Sequence, residues 1–194
     1  MTDIITRELY PILEPLGLVT QGNLSSFAVT SPDDAFRYLL GRIWDQEKHL
    51  LVLGMMNPSK ARHDVDDHTI RKCLGFARRE AAGGILVVNM AALSATNPDD
   101  MVAAHNAGIN VVGEHNAAAL DWALRLKYTI RIAAWGKIPE KVLPLTLASR
   151  RRFHDAGALC LGINADGSPK HPLTLSYDTA KTGLRPYAWP TKEA

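Results

Sequence analysis

Cysteine is scarce: the 194 residues hold two, Cys73 and Cys160, far apart and each in an apolar context. Two thiols cannot ligate an iron–sulfur cluster or build a cysteine-rich zinc site. Isolated in this way they read as small buried thiols of a reduced compartment, not as a disulfide framework. An excess of charge of one sign is also lacking. Lys and Arg number 22 against 20 Asp and Glu, formally +2, with a pI of about 8.6, a balance that neither demands nor excludes nucleic acid. No apolar run approaches the length of a membrane span, so no membrane association is expected. The opening Met1-Thr2-Asp3-Ile4-Ile5-Thr6-Arg7-Glu8 has no basic stretch followed by an uninterrupted apolar one, as a secretory signal would. A cytoplasmic protein is expected. Internal repeats and low-complexity tracts are missing too, and the length suits one domain whose core needs neither disulfide nor metal.

What is present is a repeated device. The apolar run Leu50-Leu51-Val52-Leu53-Gly54-Met55-Met56 stops at the polar turn Asn57-Pro58-Ser59. Leu86-Val87-Val88 stops at Asn89, and Ile130-Arg131-Ile132-Ala133-Ala134 stops at Trp135-Gly136. In an open α/β sheet ligands sit outside the carboxyl ends of the strands, so these endings place polar groups where a small substrate would meet the protein. His171-Pro172-Leu173-Thr174-Leu175-Ser176 supplies a further polar loop.

The intervening segments supply the rest of the order. Residues 3–17 space apolar side chains helically, with Pro11 and Pro15 breaking the pattern into a short helix and a turn. Residues 26–30 read as an edge strand, and 36–44, alternating Phe36, Tyr38, Leu40, Arg42 and Trp44, as a strand, with a helix over 34–44 as the alternative. Helices are predicted over 67–81, 99–106, 109–126 and 138–153, and strands over 85–89, 129–134 and 158–163. The alternation predicts an α/β fold of three layers, α/β/α, with a mainly parallel central sheet. The expected organisation is an N-terminal helical appendage over 1–25, a single α/β domain over 26–180 and an extended C-terminal tail over 181–194. The tail's aromatics, Tyr187 and Trp189, are expected to pack back on the domain.

From Phe36-Arg37-Tyr38 to His171-Pro172-Leu173 the chain resembles the family known as domain of unknown function 1643. The resemblance runs through Asn57-Pro58-Ser59, Asp66-Asp67-His68-Thr69, Val88-Asn89, Ala134-Trp135-Gly136 and Asp166-Gly167-Ser168-Pro169-Lys170-His171-Pro172-Leu173. It implies no established activity. A fainter likeness is to the uracil-DNA glycosylase superfamily. Asn57-Pro58-Ser59 is similar to that superfamily's water-positioning turn, Gly83-Gly84-Ile85-Leu86-Val87-Val88-Asn89 to the strand whose last Asn reads the base, Ile132-Ala133-Ala134-Trp135-Gly136-Lys137 to a Leu-Trp-Gly strand end, and His171-Pro172-Leu173-Thr174-Leu175-Ser176 to its closing loop. All four stand in the superfamily's order. The chain departs from that pattern in having Asn57 where the strongest water-activating form has Asp.

The likeness implies a uracil-DNA glycosylase-like fold and a DNA glycosylase-like hydrolase of the N-glycosidic bond of a damaged or modified base. Such an enzyme holds a flipped nucleotide, stabilises the leaving base and delivers one water. His171 would donate a hydrogen bond to the base oxygen on which charge develops; its plainer role is a surface loop histidine. Asn89 carries the donor and acceptor that an amide edge requires, or else caps its strand. Asn57 can orient a water but not deprotonate it, so Asp66 or Asp67 would be the base, although Asp at a helix start ordinarily caps it. Met56 and Trp135 are candidates for the wall against the base, with core packing the ordinary role of a strand-end Trp. Ser59, Lys60, Arg62, Lys170 and Ser176 would meet phosphates, and Leu175 would wedge into the space of a flipped base. Arg150-Arg151-Arg152 reads as an exposed run offsetting a helix dipole. His63 and His68 flank the Asp pair without a recognised ligand spacing, so neither metal nor organic cofactor is expected. The expected partner is nucleic acid, DNA ahead of RNA, or a nucleotide, with no obligate protein partner. Two rival readings keep the crevice: a non-catalytic nucleic-acid or nucleotide-binding module, and a hydrolase of free nucleosides or nucleotides.

Overall fold

The computed structural model describes residues 10–95, 97–177 and 183–189. A helical turn, α1 (Tyr10–Leu13), runs into a 3₁₀ turn at Glu14–Leu16, then β1 (Val19–Asn23), β2 (Ser26–Thr30), β3 (Arg37–Ile43) and β4 (Leu50–Met55). There follow α2 (His68–Arg79), β5 (Gly84–Asn89), α3 (Pro98–Asn106), α4 (Asn116–Arg125), β6 (Thr129–Ala133), α5 (Leu147–Asp155) and β7 (Leu159–Cys160). A 3₁₀ turn at Pro172–Thr174 and β8 (Arg185–Pro186) complete the order.

All eight strands join one sheet in the order β1-β2-β3-β5-β4-β6-β7-β8. The centre, β5-β4-β6-β7, is parallel, whereas β1-β2, β2-β3, β3-β5 and β7-β8 are antiparallel. Antiparallel pairings therefore outnumber parallel ones, which corrects the expected mainly parallel sheet: the α/β class stands, and the sheet is mixed. The reason lies in β1–β3, joined by turns too short for a crossover. Asn23 closes the first by accepting from the backbone N–H of Ser25 and Ser26 at 3.0 and 3.2 Å.

β4 and β5 are buried along their whole length, as strands covered on both faces must be, and their side chains divide by parity. Leu51, Leu53, Ile85 and Val87 pack under Ile70, Cys73 and Phe76 of α2. Val52, Leu86 and Val88 pack against Leu120 and Trp122 of α4 and Phe153 of α5. Both cysteines are buried and unpaired, and burial pushes the Cys73 thiol up to about 12. Among the described residues no helix is long and apolar enough to cross a membrane.

Other boundaries differ from expectation for local reasons. Residues 19–23, expected within the helical appendage, are β1, so β2 is not the edge; a strand with half-exposed polar residues gives no apolar run to read. The expected helix over 138–153 starts only at Leu147, because Pro139 and Pro144 interrupt it. The strand expected over 158–163 is two residues long. The tail supplies β8, and Tyr187 packs edge-on to Trp135 with centroids 5.2 Å apart. The N-terminal helix expected over residues 3–17 is described only from Tyr10, its first residues lying outside the described ones.

Candidate functional site

A crevice of about 300 Å³ opens at the carboxyl ends of β5, β4 and β6. Its position follows from the topology. β4 leads to α2 on one face, while its neighbours β5 and β6 lead to α3–α4 and α5, with α4 and α5 packed on the other. Adjacent loops thus part in opposite directions and leave a gap. Met55, Val87 and Ile70 give it apolar lining, and Asn89 stands among them. The volume is at the low end of the range for small-molecule sites, about 300–1,000 Å³.

The rim is held by side chains spent on backbone. Asn57 donates through Nδ2 to the carbonyls of Pro58 at 2.9 Å and Ala95 at 2.6 Å, tying the end of β4 to the segment after β5. Its Oδ1 is left as the acceptor, so the turn-bracing role and the water-holding role fall to different atoms of one amide. Across the crevice, Nδ1 of His171 accepts from Leu173 N–H at 3.3 Å. With Nδ1 accepting, the proton of the neutral ring is on Nε2, as the network assigns it. Burial pulls the imidazole below its ordinary value of 6.5, with Asp67 opposing more weakly, so the ring is a neutral donor near pH 7. Gly136 allows this loop its close approach: its φ is +72°, and a Cβ there would lie 3.1 Å from the Cβ of His171.

The two aspartates separate. Asp66 pairs with Arg42, whose Nε donates to its Oδ1 at 2.9 Å and whose Nη2 lies 2.8 Å from the same oxygen in an ion pair. Asp67 lines the crevice and caps α2, its Oδ1 accepting from Ile70 N–H at 2.8 Å. Arg42 also donates to the Arg62 carbonyl at 2.6 Å, and Arg37 donates to the Ala61 carbonyl. Two arginines of β3 thereby fasten the segment that carries both carboxylates.

Arg37 reaches the crevice through an irregularity. Val29 pairs with Leu39 but Thr30 with Arg37, leaving Tyr38 as an extra residue in β3. That bulge puts Arg37 on the same face as Leu40 and Arg42, where plain alternation would send it to the other. Burial brings its guanidinium down to about 10. Its Nε is buried without a hydrogen-bond partner, and so is Oδ1 of Asn89, a residue with no exposed surface. Asn89 is in turn fixed from behind: Asn116 of α4 donates to its carbonyl at 2.9 Å. Two unmet polar atoms, a donor and an acceptor, thus belong to residues lining one small crevice, and native interiors seldom leave such groups unpaired without a use.

A family model described as protein of unknown function (DUF1643) matches residues 37–173, well over half of the chain. The chain belongs to this family. No curated protein and no solved structure matches this DUF1643 chain. The family match begins at Arg37 and ends in the loop that carries His171.

In this DUF1643 protein the crevice gathers Asn57, Asp67, His171, Asn89, Met56, Trp135 and Ser59. Trp135 is also a core residue, 3% exposed, its ring set T-shaped against Phe153 and Tyr187. Asp66, Lys60, Arg62, Lys170, Leu175 and Ser176 stand outside its lining. Leu175 is buried in the core beside α2, 6% exposed, and a core side chain cannot act as a wedge; Leu173, 50% exposed, is the apolar tip of that loop. Of the arginine run, Arg150 is no exposed charge but a buried one, donating to the Leu143 carbonyl at 3.0 Å. Among the described residues no three His, Cys, Asp or Glu are grouped to hold a metal ion. Sequence reasoning missed Arg37, Thr69 and Lys137. Lys137 directly follows a strand-end Trp-Gly and was findable from that; Arg37 was hidden by the bulge.

Proposed function

We propose that the crevice binds a nucleobase and that the protein hydrolyses the N-glycosidic bond joining it to its sugar. The observation that carries this reading is the pair of unmet atoms, Arg37 Nε and Asn89 Oδ1, on residues that also share the crevice with His171 and Asp67. A base edge offers the complementary acceptor and N–H, and a site built to pair with such an edge rejects ligands lacking it, because its polar groups would stay unpaired. Met55, Met56 and Val87 supply apolar surface for the ring. The four strand-end motifs, in the order found in the uracil-DNA glycosylase superfamily, agree with this assignment.

In the proposed reaction Asn57 Oδ1 and the Asp67 carboxylate orient one water. Its oxygen forms a bond to the anomeric carbon as the C–N bond breaks, and that bonding pair leaves on the base. Nε2–H of His171 donates to the base oxygen where the negative charge gathers, Asp67 accepts the water's proton, and that proton finally returns to the base. The products are free base and a sugar hydroxyl, and no redox step is needed. A preorganised donor of this kind is worth about 10²- to 10³-fold in rate.

The burial of Leu175 favours a substrate that needs no duplex wedge, either single-stranded nucleic acid or a free nucleoside or nucleotide. The test is a base-release screen over single- and double-stranded oligonucleotides and over free nucleosides and nucleotides. It covers uracil, hypoxanthine, mismatched thymine and modified pyrimidines, with His171→Ala and Asn89→Ala as controls. The expected result is release that falls about 10²-fold or more in His171→Ala. Absence of release from every substrate, with binding saturated, would overturn the hydrolase reading.

A further inference from the structure

A second cavity of about 260 Å³ adjoins the crevice, and Arg37 and Ser59 line both. Lys60 and Arg62 line this second cavity with exposed side chains, and its single carboxylate is Asp34. Asp34 is engaged: its Oδ1 accepts from Gln21 Nε2 at 3.0 Å. Three cations thus face one carboxylate, and the excess matches the charge of a phosphate monoester, about −1.5 to −2 at pH 7.

We propose that this second cavity is a phosphate subsite, in which Lys60, Arg62 and Arg37 hold the phosphate of the nucleotide whose base enters the crevice. The proposal rests on the nucleobase reading and names the substrate class more narrowly, a nucleotide and not a nucleoside. Arg37 is the pivot between the two halves. Its Nη1 is committed to the Ala61 carbonyl and its Nε is the donor assigned above to the base edge, so it would meet the phosphate through its remaining nitrogen, Nη2, and through its charge. Burial depresses its guanidinium, Asp67 opposes, and the nearby Arg42 adds to the depression. Burial leaves its charge poorly solvated, and an anion beside it would stabilise that charge. Lys60 and Arg62 sit on either side of Ala61, whose carbonyl Arg37 holds, so the same contact that orders the segment brings the exposed cations to the buried one. Ser59 lines both cavities, and its hydroxyl can donate to a ligand in either.

The experiment uses probes without a base, so that its failure and the failure of the nucleobase reading are separate. Inorganic phosphate, 2-deoxyribose, 2-deoxyribose 5-phosphate and a short, fully abasic oligonucleotide, a phosphodiester backbone without bases, are titrated against the full chain by calorimetry. The double variant Lys60→Ala/Arg62→Ala is titrated alongside, its fold checked by circular dichroism. Both substituted side chains are exposed. Expected is binding of the phosphate-bearing probes and none of plain deoxyribose, with affinity in the double variant reduced about tenfold or more and less sensitive to salt. If only the oligonucleotide weakens, the phosphate is that of a phosphodiester chain; if only the small probes weaken, it belongs to a free monophosphate. No measurable binding of any phosphate probe, or binding that the double variant retains, overturns the subsite. Base release without phosphate binding leaves the nucleobase reading standing alone, and phosphate binding without base release does the reverse.

Discussion

Strands β4 and β5 of the parallel half and β3 of the antiparallel half are equally buried and differently made. β4 and β5, in the parallel half, are apolar throughout and turn polar only where they end, at Asn57 and Asn89. β3, in the antiparallel half, is buried along its whole length as well, yet carries Arg37 and Arg42 inside. The parallel half builds the floor of the crevice by burying hydrocarbon. The antiparallel half spends buried charge on positioning: Arg42 takes Asp66 and the Arg62 carbonyl, Arg37 takes the Ala61 carbonyl, and what remains facing the crevice is Asp67. Stability and the choice of which carboxylate lines the crevice thus come from different strands.

Truncation in each half breaks this comparison in a different way. Leu53→Ala, at a fully buried site in β4, is expected to cost about 2–5 kcal/mol, the loss of transfer energy plus a cavity. Urea denaturation reads it, and amide exchange of residues 59–67 in the folded protein is expected to be unchanged from wild type. Arg42→Ala is expected to cost less, about 2–3 kcal/mol, because Asp66 retains some contact with water and is not left wholly stranded. Its signature is local: exchange across 59–67 should quicken, since the segment loses two anchors. Equal protection of that segment in both variants would show that β3 does not hold it.

The same contrast explains what could be read in advance. The runs 50–55 and 84–89 are apolar segments closed by Asn57 and Asn89, so their parallel pairing and the crevice at their ends are legible and those two residues follow from them, whereas His171 is found from its own polar loop, 171–176. Asp66 and Asp67 could not be told apart, because the choice is made by Arg42, 24 residues earlier in the chain and across the fold. Arg37 could not be found because alternation over Phe36, Tyr38, Leu40 and Arg42 assigns it to the opposite face, and a bulge at Tyr38 reverses that. Leu175 takes its expected wedge role from the resemblance of 171–176 to a closing loop, which says nothing of what lies over it; its burial depends on α2 lying over the sheet there.

Gly136→Ala probes the place where β6, in the parallel half, meets the closing loop. An alanine at φ +72° costs about 1–2 kcal/mol, and its methyl would press on His171. The expected outcome is a modest loss of stability with a clear shift of the His171 ring resonances in NMR spectra. Unshifted ring resonances would mean that the loop is positioned by something other than its contact with Gly136.

The smallest expected effect is the most diagnostic for the site, because it appears as a slope and not as a midpoint. Burial lowers the folded-state pKa of His171 below 6.5, against the pull of Asp67, while in the unfolded chain it titrates near 6.5. Between those two values the unfolded state binds more protons than the folded one, so stability rises with pH through that window and is lost as pH falls through it. His171→Gln keeps a polar side chain without the titration, and should remove that part of the slope. Denaturation of both proteins from pH 5 to 8 is therefore expected to show wild type losing stability relative to the variant on acidification below about 6.5, with a constant difference above 7.5. If wild type instead gains relative stability as the pH falls, the attraction of Asp67 has outweighed burial and His171 is a cation in the folded protein. An imidazolium beside Asp67 would be an ion pair, and the neutral Nε2–H donor on which the proposed stabilisation of the leaving base depends would have to be abandoned.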